Sequence, residues 1–600
     1  MAGPLVIPSV DPGPATEGST GTDRPRRRRP TGLERFVPAS AWLRHYPREL
    51  LRGDLTAGIT VAVMLIPQGM AYASLAGMPP VTGLYAAIVG IVAYAIFGTS
   101  GSLAVGPVAI TSLLTLSGLE AIVDPADPSY PAIAALLALS VGGILLAAGV
   151  LRLGFLVNFL SHPVISGFTS AAAITIGLSQ VKDLLGLSIG RPEGVTATVS
   201  ALIDKASAVS WWTVGIATAS IVALAVGKRF VPRAPVALVV MAAATVGAWV
   251  ASLADRGVAI LGEVPTGFPS PALPEISGSL LGDVAPVALT IAVVAYAEGV
   301  SVAKAIARRT REDVDANQEL IATGAANAAA GLFGGFPIAG GFSRTAVNHQ
   351  AGARTPLASL LTAGMLMVAV LWLTPALYYL PKAVLAAVVV VAVAGLIDIH
   401  EARETWRTRR SDFAALAITF IATLTIGVEP GLAIGLVFSL LLFVYRSANP
   451  HATELGRVDG TCEYRNVDRW PTTRSDTIAL LRVDGPLFFA NTKALEDRIA
   501  DLVARDRAIT TLVLDASGIG DLDASGAHLL GELDRDLDAS GVTLRLATVR
   551  GPVRDVMARA GLWDPMVDRI HPSIAAAIEA ADPASTLLSP DPAEVATPVR

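Results

Sequence analysis

Charge is scarce in this sequence. Only 16% of its 600 residues are Asp, Glu, Lys or Arg, against 52% hydrophobic, where soluble domains carry about 25% charged residues. So few charges cannot coat a soluble protein of this length, and the mean hydropathy of +0.57 agrees. Cysteine is nearly absent. Cys462 stands alone, which excludes an intrachain disulfide and a cysteine-based metal centre. The histidines (His45, His162, His349, His400, His451, His528 and His571) are scattered, without ligand spacing such as HExxH. The glycine-rich run GLFGGFPIAGG, residues 331–341, lacks the Lys-Ser/Thr ending of a P-loop. No enzyme, cofactor, metal or nucleic-acid partner is expected.

Long apolar runs fill the space that charge leaves. Segments near the ~20-residue spanning length recur at 54–75, 80–98, 104–122, 131–151, 164–185, 211–228, 234–253, 284–305, 317–334, 342–350, 355–374, 382–398, 411–428 and 430–447. That makes about fourteen spans within a transmembrane domain set at 33–448. Basic residues test the count, because cytoplasmic loops carry the Lys/Arg excess. Arg152 follows the fourth span, Lys228, Arg229 and Arg233 the sixth, and Lys304, Arg308, Arg309 and Arg311 the eighth. Arg403, Arg407, Arg409 and Arg410 follow the twelfth, and Arg446 the fourteenth. The opposite loops hold Glu120, Asp124 and Asp127, or Glu429 alone. This pattern places both termini in the cytoplasm of a multi-pass protein of the inner (plasma) membrane.

The ends differ from the middle. Residues 1–32 are rich in Pro, Gly, Ser and Thr, end in Arg26–Arg29, and show no signal-peptide cleavage pattern. They are expected to form a disordered basic tail. Past Arg446, charges of both signs return and strand-like and helix-like stretches alternate. TIALLRVDG and PLFFAN read as strands, followed by the amphipathic helix TKALEDRIADLVARD. AITTLVLDAS and GVTLRLATV read as further strands, SGAHLLGELDRDLDAS and GPVRDVMARAGL as helices. A soluble α/β domain over 455–582 follows, with a disordered Pro-rich tail at 583–600.

Two apolar regions interrupt themselves. FGTSGSLAVGPVAITSLL, 97–114, and GLFGGFPIAGGFSRTAV, 331–347, each break with Gly and Pro before a short helix. They fall at the third and the tenth spans, matching positions in two halves of seven. Seven is odd, so the second half enters the membrane inverted. Paired breaks of this kind point to a transporter binding site. A helix that starts at mid-membrane offers unpaired N–H groups and about half a positive charge, which suits an anion. Phe342, Ser343, Arg344 and Thr345 stand where the second such helix would begin.

A charge within a span signals function, and Arg344 needs a partner or a cavity. Glu298 is the only acidic residue inside span eight. Two readings stand: a structural Glu298–Arg344 ion pair, or Arg344 facing the anion while Glu298 takes up a coupling proton or cation. In the first span, Pro67 frees a carbonyl, and the uncharged Gln68 can hydrogen-bond an oxyanion or cap the kink. Tyr72 lies one turn along, on the same side.

These stretches resemble a known family. DLTAGITVAVMLIPQGMAYASLAGMPPVTGLYAAIVG and GGFSRTAVNHQAGARTPLA are similar to motifs of the sulfate permease (SulP) anion transporters, and the soluble region resembles the STAS domain they carry. The resemblance spans about Leu33 to Asp582. It implies a seven-plus-seven inverted repeat of core and gate domains, elevator-type movement, a homodimer, and an anion site between helices three and ten. It assigns Gln68 to substrate, Val105-Gly106 to the third-helix opening, Glu298 to coupling and Ser343-Arg344 to the tenth-helix pair. In sodium-coupled relatives a threonine follows the acidic residue by one turn. Here Val302 holds that place, with Ser301 beside it, and a hard cation needs several oxygen ligands. Proton coupling is therefore expected over sodium. In the STAS loop, Ala524 stands where a phosphorylated serine would, and Ser525 is expected to be a helix N-cap. The expected activity is secondary transport of small oxyanions, sulfate first, then bicarbonate and dicarboxylates. The alternatives are an uncoupled exchanger or channel, a sodium-coupled bicarbonate symporter, and a membrane-anchored signalling protein with the STAS domain as output.

Overall fold

The computed structural model describes residues 37–588, except 45, 156–160, 190–193, 232–235, 264–266, 269, 275–277, 311, 313, 373, 460, 462 and 506–507. The Arg-rich tail expected at 1–32 lies outside the described residues. In lipid, a spanning segment must satisfy its own backbone groups, which a helix does. Fourteen described helices coincide with the fourteen apolar runs. They are α1 (Leu51–Leu75), α2 (Pro80–Phe97), α3 (Ala109–Glu120), α4 (Tyr130–Val150), α5 (His162–Leu185), α6 (Trp211–Phe230) and α7 (Val236–Val250). The second seven are α8 (Gly278–Thr310), α9 (Ala316–Leu332), α10 (Phe342–Gln350), α11 (Leu357–Trp372), α12 (Lys382–Val393), α13 (Arg410–Thr425) and α14 (Val428–Ala448). By length and composition, eight of the described helices could cross a membrane alone, while α3, α7 and α11 are shorter apolar helices.

The shortness of α3 and α10 has a visible cause. Each is preceded by an extended arm rather than by another helical turn. The arms meet as β1 (Val105–Gly106) and β2 (Ala339–Gly340), paired antiparallel with Val105 opposite Gly340 and Gly106 opposite Ala339.

The chain divides into two compact units, 1–157 with 172–397, and 158–171 with 398–600. In the first, α9 packs along α4 and α2, and α1 packs against α2 and α11. Small residues permit this approach: Ala134 and Ala138 on α4 and Ala322, Ala326 and Ala330 on α9 are fully buried. Close backbone approach of this kind is how helices associate where lipid removes the hydrophobic drive.

The second unit contains α13, α14 and the soluble sheet. Arg446 of α14 bonds Ser411 and Asp412 of α13. The sheet consists of β3 (His451–Val458), β4 (Tyr464–Asn466), β5 (Thr472–Thr473), β6 (Ile478–Asp484), β7 (Thr511–Asp515), β8 (Thr543–Ala547) and β9 (Ile570–His571). Its order is β4-β3-β6-β7-β8-β9, with β5 also on β3. The run β6 to β9 is parallel, and β3 joins antiparallel. TLVLD in β7 is buried at every position, as a central parallel strand covered on both faces must be. Helices α15 (Thr492–Arg505), α16 (Ala524–Ala539) and α17 (Gly551–Arg559) cover one face, with Leu495, Leu530 and Met557 in that core. Helix α18 (Ile574–Ala581) packs Ala577 and Ile578 against Leu480 and Val513.

Three sequence expectations change here. PLFFAN is not a strand but a turn. The Asn491 side chain accepts from Phe488 N at 3.0 Å and donates to the Pro486 carbonyl at 2.8 Å, leaving Phe489 73% exposed. Ser525 is not the N-cap of α16, because Asp523 two residues earlier accepts from Gly526 N at 2.7 Å. The ordered soluble domain also runs past 582. Thr586 and Leu587 carbonyls accept from Arg457 and Tyr464, and Leu587 is buried.

Candidate anion site at the two broken spans

The arms place two helix starts side by side. Gly341 N donates to the Ala104 carbonyl at 3.0 Å, and Ala104 N donates to Thr345 Oγ1 at 3.0 Å. Thr345 in turn donates to the Gly341 carbonyl at 2.7 Å, so its hydroxyl stitches the arms together. Glycine is needed where the backbones crowd. A Cβ on Gly340 would meet Gly299 Cα of α8 at 2.9 Å. That approach brings the neighbouring Glu298 to the arms. Gly106 has φ +153°, a conformation that other residues rarely adopt.

Neither helix start has a side-chain cap, at Val108 before α3 or at Gly341 before α10. The first turn of each helix therefore keeps its N–H groups without intrahelical partners, and each carries a positive partial charge. Arg344 adds a full charge between them. Its side chain is 2% exposed. Nη1 donates to the Pro107 carbonyl, just before α3, while Nε and Nη2 have no hydrogen-bond partner. A guanidinium that keeps donors free in a buried place is suited to a carboxylate or an oxyanion.

The other expected residues are distributed as follows. Glu298 is 7% exposed. Among the described residues no ion pair joins it to Arg344, although Tyr72, Glu298 and Arg344 lie within electrostatic reach of one another. Gln68, four residues before Tyr72 on α1, is half-buried and has no described hydrogen bond. Phe342 and Ser343 are exposed on the first turn of α10. Val105 and Gly106 do not open α3, as expected, but form the buried strand pair ahead of it, because their backbones bond the other arm; α3 starts at Ala109. Ser301 is exposed, while Val302 is buried in an apolar cluster with Val89 and Leu103. No group of three or more His, Cys, Asp or Glu that could hold a metal occurs among the described residues.

Sequence reasoning passed over several polar residues that build this frame. Asn348 of α10 donates to the Ser102 carbonyl at 2.9 Å. Asp54 of α1 accepts from Arg354 N at 2.8 Å and from Thr355 Oγ1 at 2.6 Å, just beyond α10. A buried carboxylate or amide in an apolar span is itself a signal, and both stood in plain view.

Comparison with known proteins decides the family. Residues 51–419 match the model of the sulfate permease family, and residues 469–577 match that of the STAS domain. The chain belongs to the sulfate permease family. It is 38% identical over 549 residues to "Sulfate transporter 4.1, chloroplastic" of Arabidopsis thaliana, covering 88% of this chain and 80% of that protein. A Mycobacterium tuberculosis protein named as a probable sulfate transporter is 36% identical over 548 residues, covering 91% of this chain and 98% of that one. Among solved structures, the murine Slc26a9 anion transporter in its inward-facing state superposes with a TM-score of 0.84 at 26% identity, covering 93% of this chain and 96% of that one. The transmembrane domain of the cyanobacterial bicarbonate transporter BicA matches with a TM-score of 0.57 at 25% identity, covering 66% of this chain and 98% of that one. This sulfate permease family member is thus a multi-pass membrane protein of anion-transport type with a C-terminal STAS domain, not an enzyme.

Proposed function

We propose that this protein is a proton-coupled secondary transporter of small oxyanions, with sulfate as its leading substrate. The observation that carries the reading is Arg344, buried between two uncapped helix starts with Nε and Nη2 unpartnered. Those groups offer a dianion several donors without any reorganisation of the protein. Gln68 and the Ser343 hydroxyl supply neutral donors, and Tyr72 and Phe342 form apolar walls. The names of the relatives from plant and bacterium favour sulfate over bicarbonate or dicarboxylates.

Glu298 supplies the coupling. A carboxylate within reach of Arg344 competes with the anion for its positive potential. Protonation of Glu298 removes that competitor, so proton and anion binding favour each other, and by linkage the effect is reciprocal. Val302 occupies the place where a sodium-binding threonine would sit, and its burial among apolar side chains argues for the proton. The protein works as a homodimer with both termini cytoplasmic in the plasma membrane, and the core moves past the gate by an elevator-type step.

The reading is tested in proteoliposomes with labelled sulfate, bicarbonate and succinate under separate proton and sodium gradients. The expected result is sulfate uptake accelerated by an inward proton gradient and indifferent to sodium. Sodium-dependent bicarbonate uptake, or a conductance independent of either gradient, would replace this reading with the symporter or the channel.

A further inference from the structure

The two arms do not hold themselves. Helix α9 grips both. Glu319 is 1% exposed and receives three hydrogen bonds, from Tyr94 Oη at 2.7 Å, Thr99 N at 2.9 Å and Thr99 Oγ1 at 2.6 Å. Thr99 lies on the arm that leads into β1 and α3. Asn327, wholly buried, accepts from Ile338 N at 2.9 Å and donates to the Ile338 carbonyl at 2.9 Å, as a neighbouring strand would. Ile338 lies on the arm that leads into β2 and α10. Glu319 and Asn327 are eight residues apart, so they lie on neighbouring sides of one rigid rod, separated along it by about 12 Å.

We infer that α9 sets the spacing and register of the two half-helix starts, with Glu319 and Asn327 as positioning residues for the anion site. Neither touches the site. Each acts through one arm, Glu319 through Thr99 and Asn327 through Ile338. The chemistry fits the task. A carboxylate is acceptor-only, and Glu319 meets donors only. A primary amide both donates and accepts, and Asn327 meets one backbone N–H, of Ile338, and two backbone carbonyls, of Ile338 and of Thr323 one turn back on α9. Exchange of either group leaves a buried donor or acceptor unmatched. The arm then has reason to move away, and the uncapped N–H groups with it. The frame is asymmetric in a useful way: a helix of the second half holds arms from both halves, so a shift of α9 moves the two helix starts together.

The inference rests on the proposed anion site, and its test separates the two. In the full-length protein with Cys462→Ser, spin labels at Ser117→Cys on α3 and Ala346→Cys on α10 report the separation of the half-helices. Sulfate dissociation constants are measured in parallel on the same preparations without labels. Glu319→Gln and Asn327→Asp keep side-chain shape. Each is expected to broaden or shift the label distance and to weaken sulfate binding about tenfold. Thr99→Val should reproduce the effect of Glu319→Gln, and Thr99→Ser, which restores the hydroxyl, should return both readouts to the parent values. A residue that merely contributes to folding would lower thermal stability and leave distance and affinity of the folded fraction unchanged; that result overturns the inference. So does a changed distance with unchanged affinity. If the parent itself binds no sulfate, the functional reading fails, while the distance data still decide whether α9 holds the arms.

Discussion

Val105 and Gly340 are direct Cα partners in an antiparallel pair, although 235 positions separate them in the chain. That single register brings the starts of α3 and α10 together, and Arg344 closes the gap by donating to the Pro107 carbonyl. The functional reading rests on this juxtaposition, and its consequences can be measured.

Arg344→Ala removes a buried charge and two unpaired donors from the site. Sulfate affinity should fall at least tenfold, consistent with about 1.5–3 kcal/mol for a hydrogen bond to a charged group. Arg344→Lys should recover only part, because an ammonium cannot bond the Pro107 carbonyl and an oxyanion in the same planar fork. Equilibrium binding of labelled sulfate to purified protein checks both, and affinities equal to the parent would count against the site.

Glu298→Gln mimics the protonated carboxyl permanently. Sulfate should still bind, since the competitor of Arg344 is gone, but acid stimulation of uptake should disappear. The measurement is initial uptake rate in liposomes at several external pH values. Acid-stimulated uptake of parental size in the variant would remove Glu298 from the coupling step.

Two glycines that touch should respond differently. A Cβ on Gly340 would meet Gly299 Cα at 2.9 Å and Leu103 Cδ1 at 3.0 Å. Gly340→Ala is therefore expected to lose transport and about 1–3 kcal/mol of stability through overpacking. A Cβ on Gly299 would find its nearest atoms at 3.8 and 4.0 Å, so Gly299→Ala should be tolerated. Thermal stability and uptake of the two variants, measured side by side, decide this.

In the soluble domain, Asp523 caps α16 and also accepts from Phe489 N at 2.9 Å. Asp523→Ala should cost about 1 kcal/mol, typical of a lost cap, whereas Ser525→Ala should be near neutral. Pulse proteolysis of the STAS domain within the intact protein distinguishes them. Equal losses would return the capping role to Ser525.

The helical domain was largely legible, because lipid leaves an apolar run few alternatives to a helix. All fourteen runs became helices, and the Gly/Pro breaks before Ala109 and Phe342 correctly marked where helix gives way to extended arm. What the sequence hid depends on partners far along the chain. PLFFAN has the composition of a strand, but Asn491 and Asp523 fold it into a turn. His451–Val458 reads as polar, yet it becomes a strand because β6 and β4 flank it. At the site, Arg344 and Glu298 announced themselves as charges in apolar spans. Nothing local says that Thr345 spends its hydroxyl on Ala104 and Gly341, or that Glu319 grips Thr99.

The most direct measurement is a structure of the protein with selenate, located by its anomalous scattering. The account predicts a selenium peak between the first turns of α3 and α10, with selenate oxygens within hydrogen-bond reach of backbone N–H groups there and of Arg344 Nε or Nη2. A fully occupied peak elsewhere in the helical domain, with those groups left dry, would contradict it.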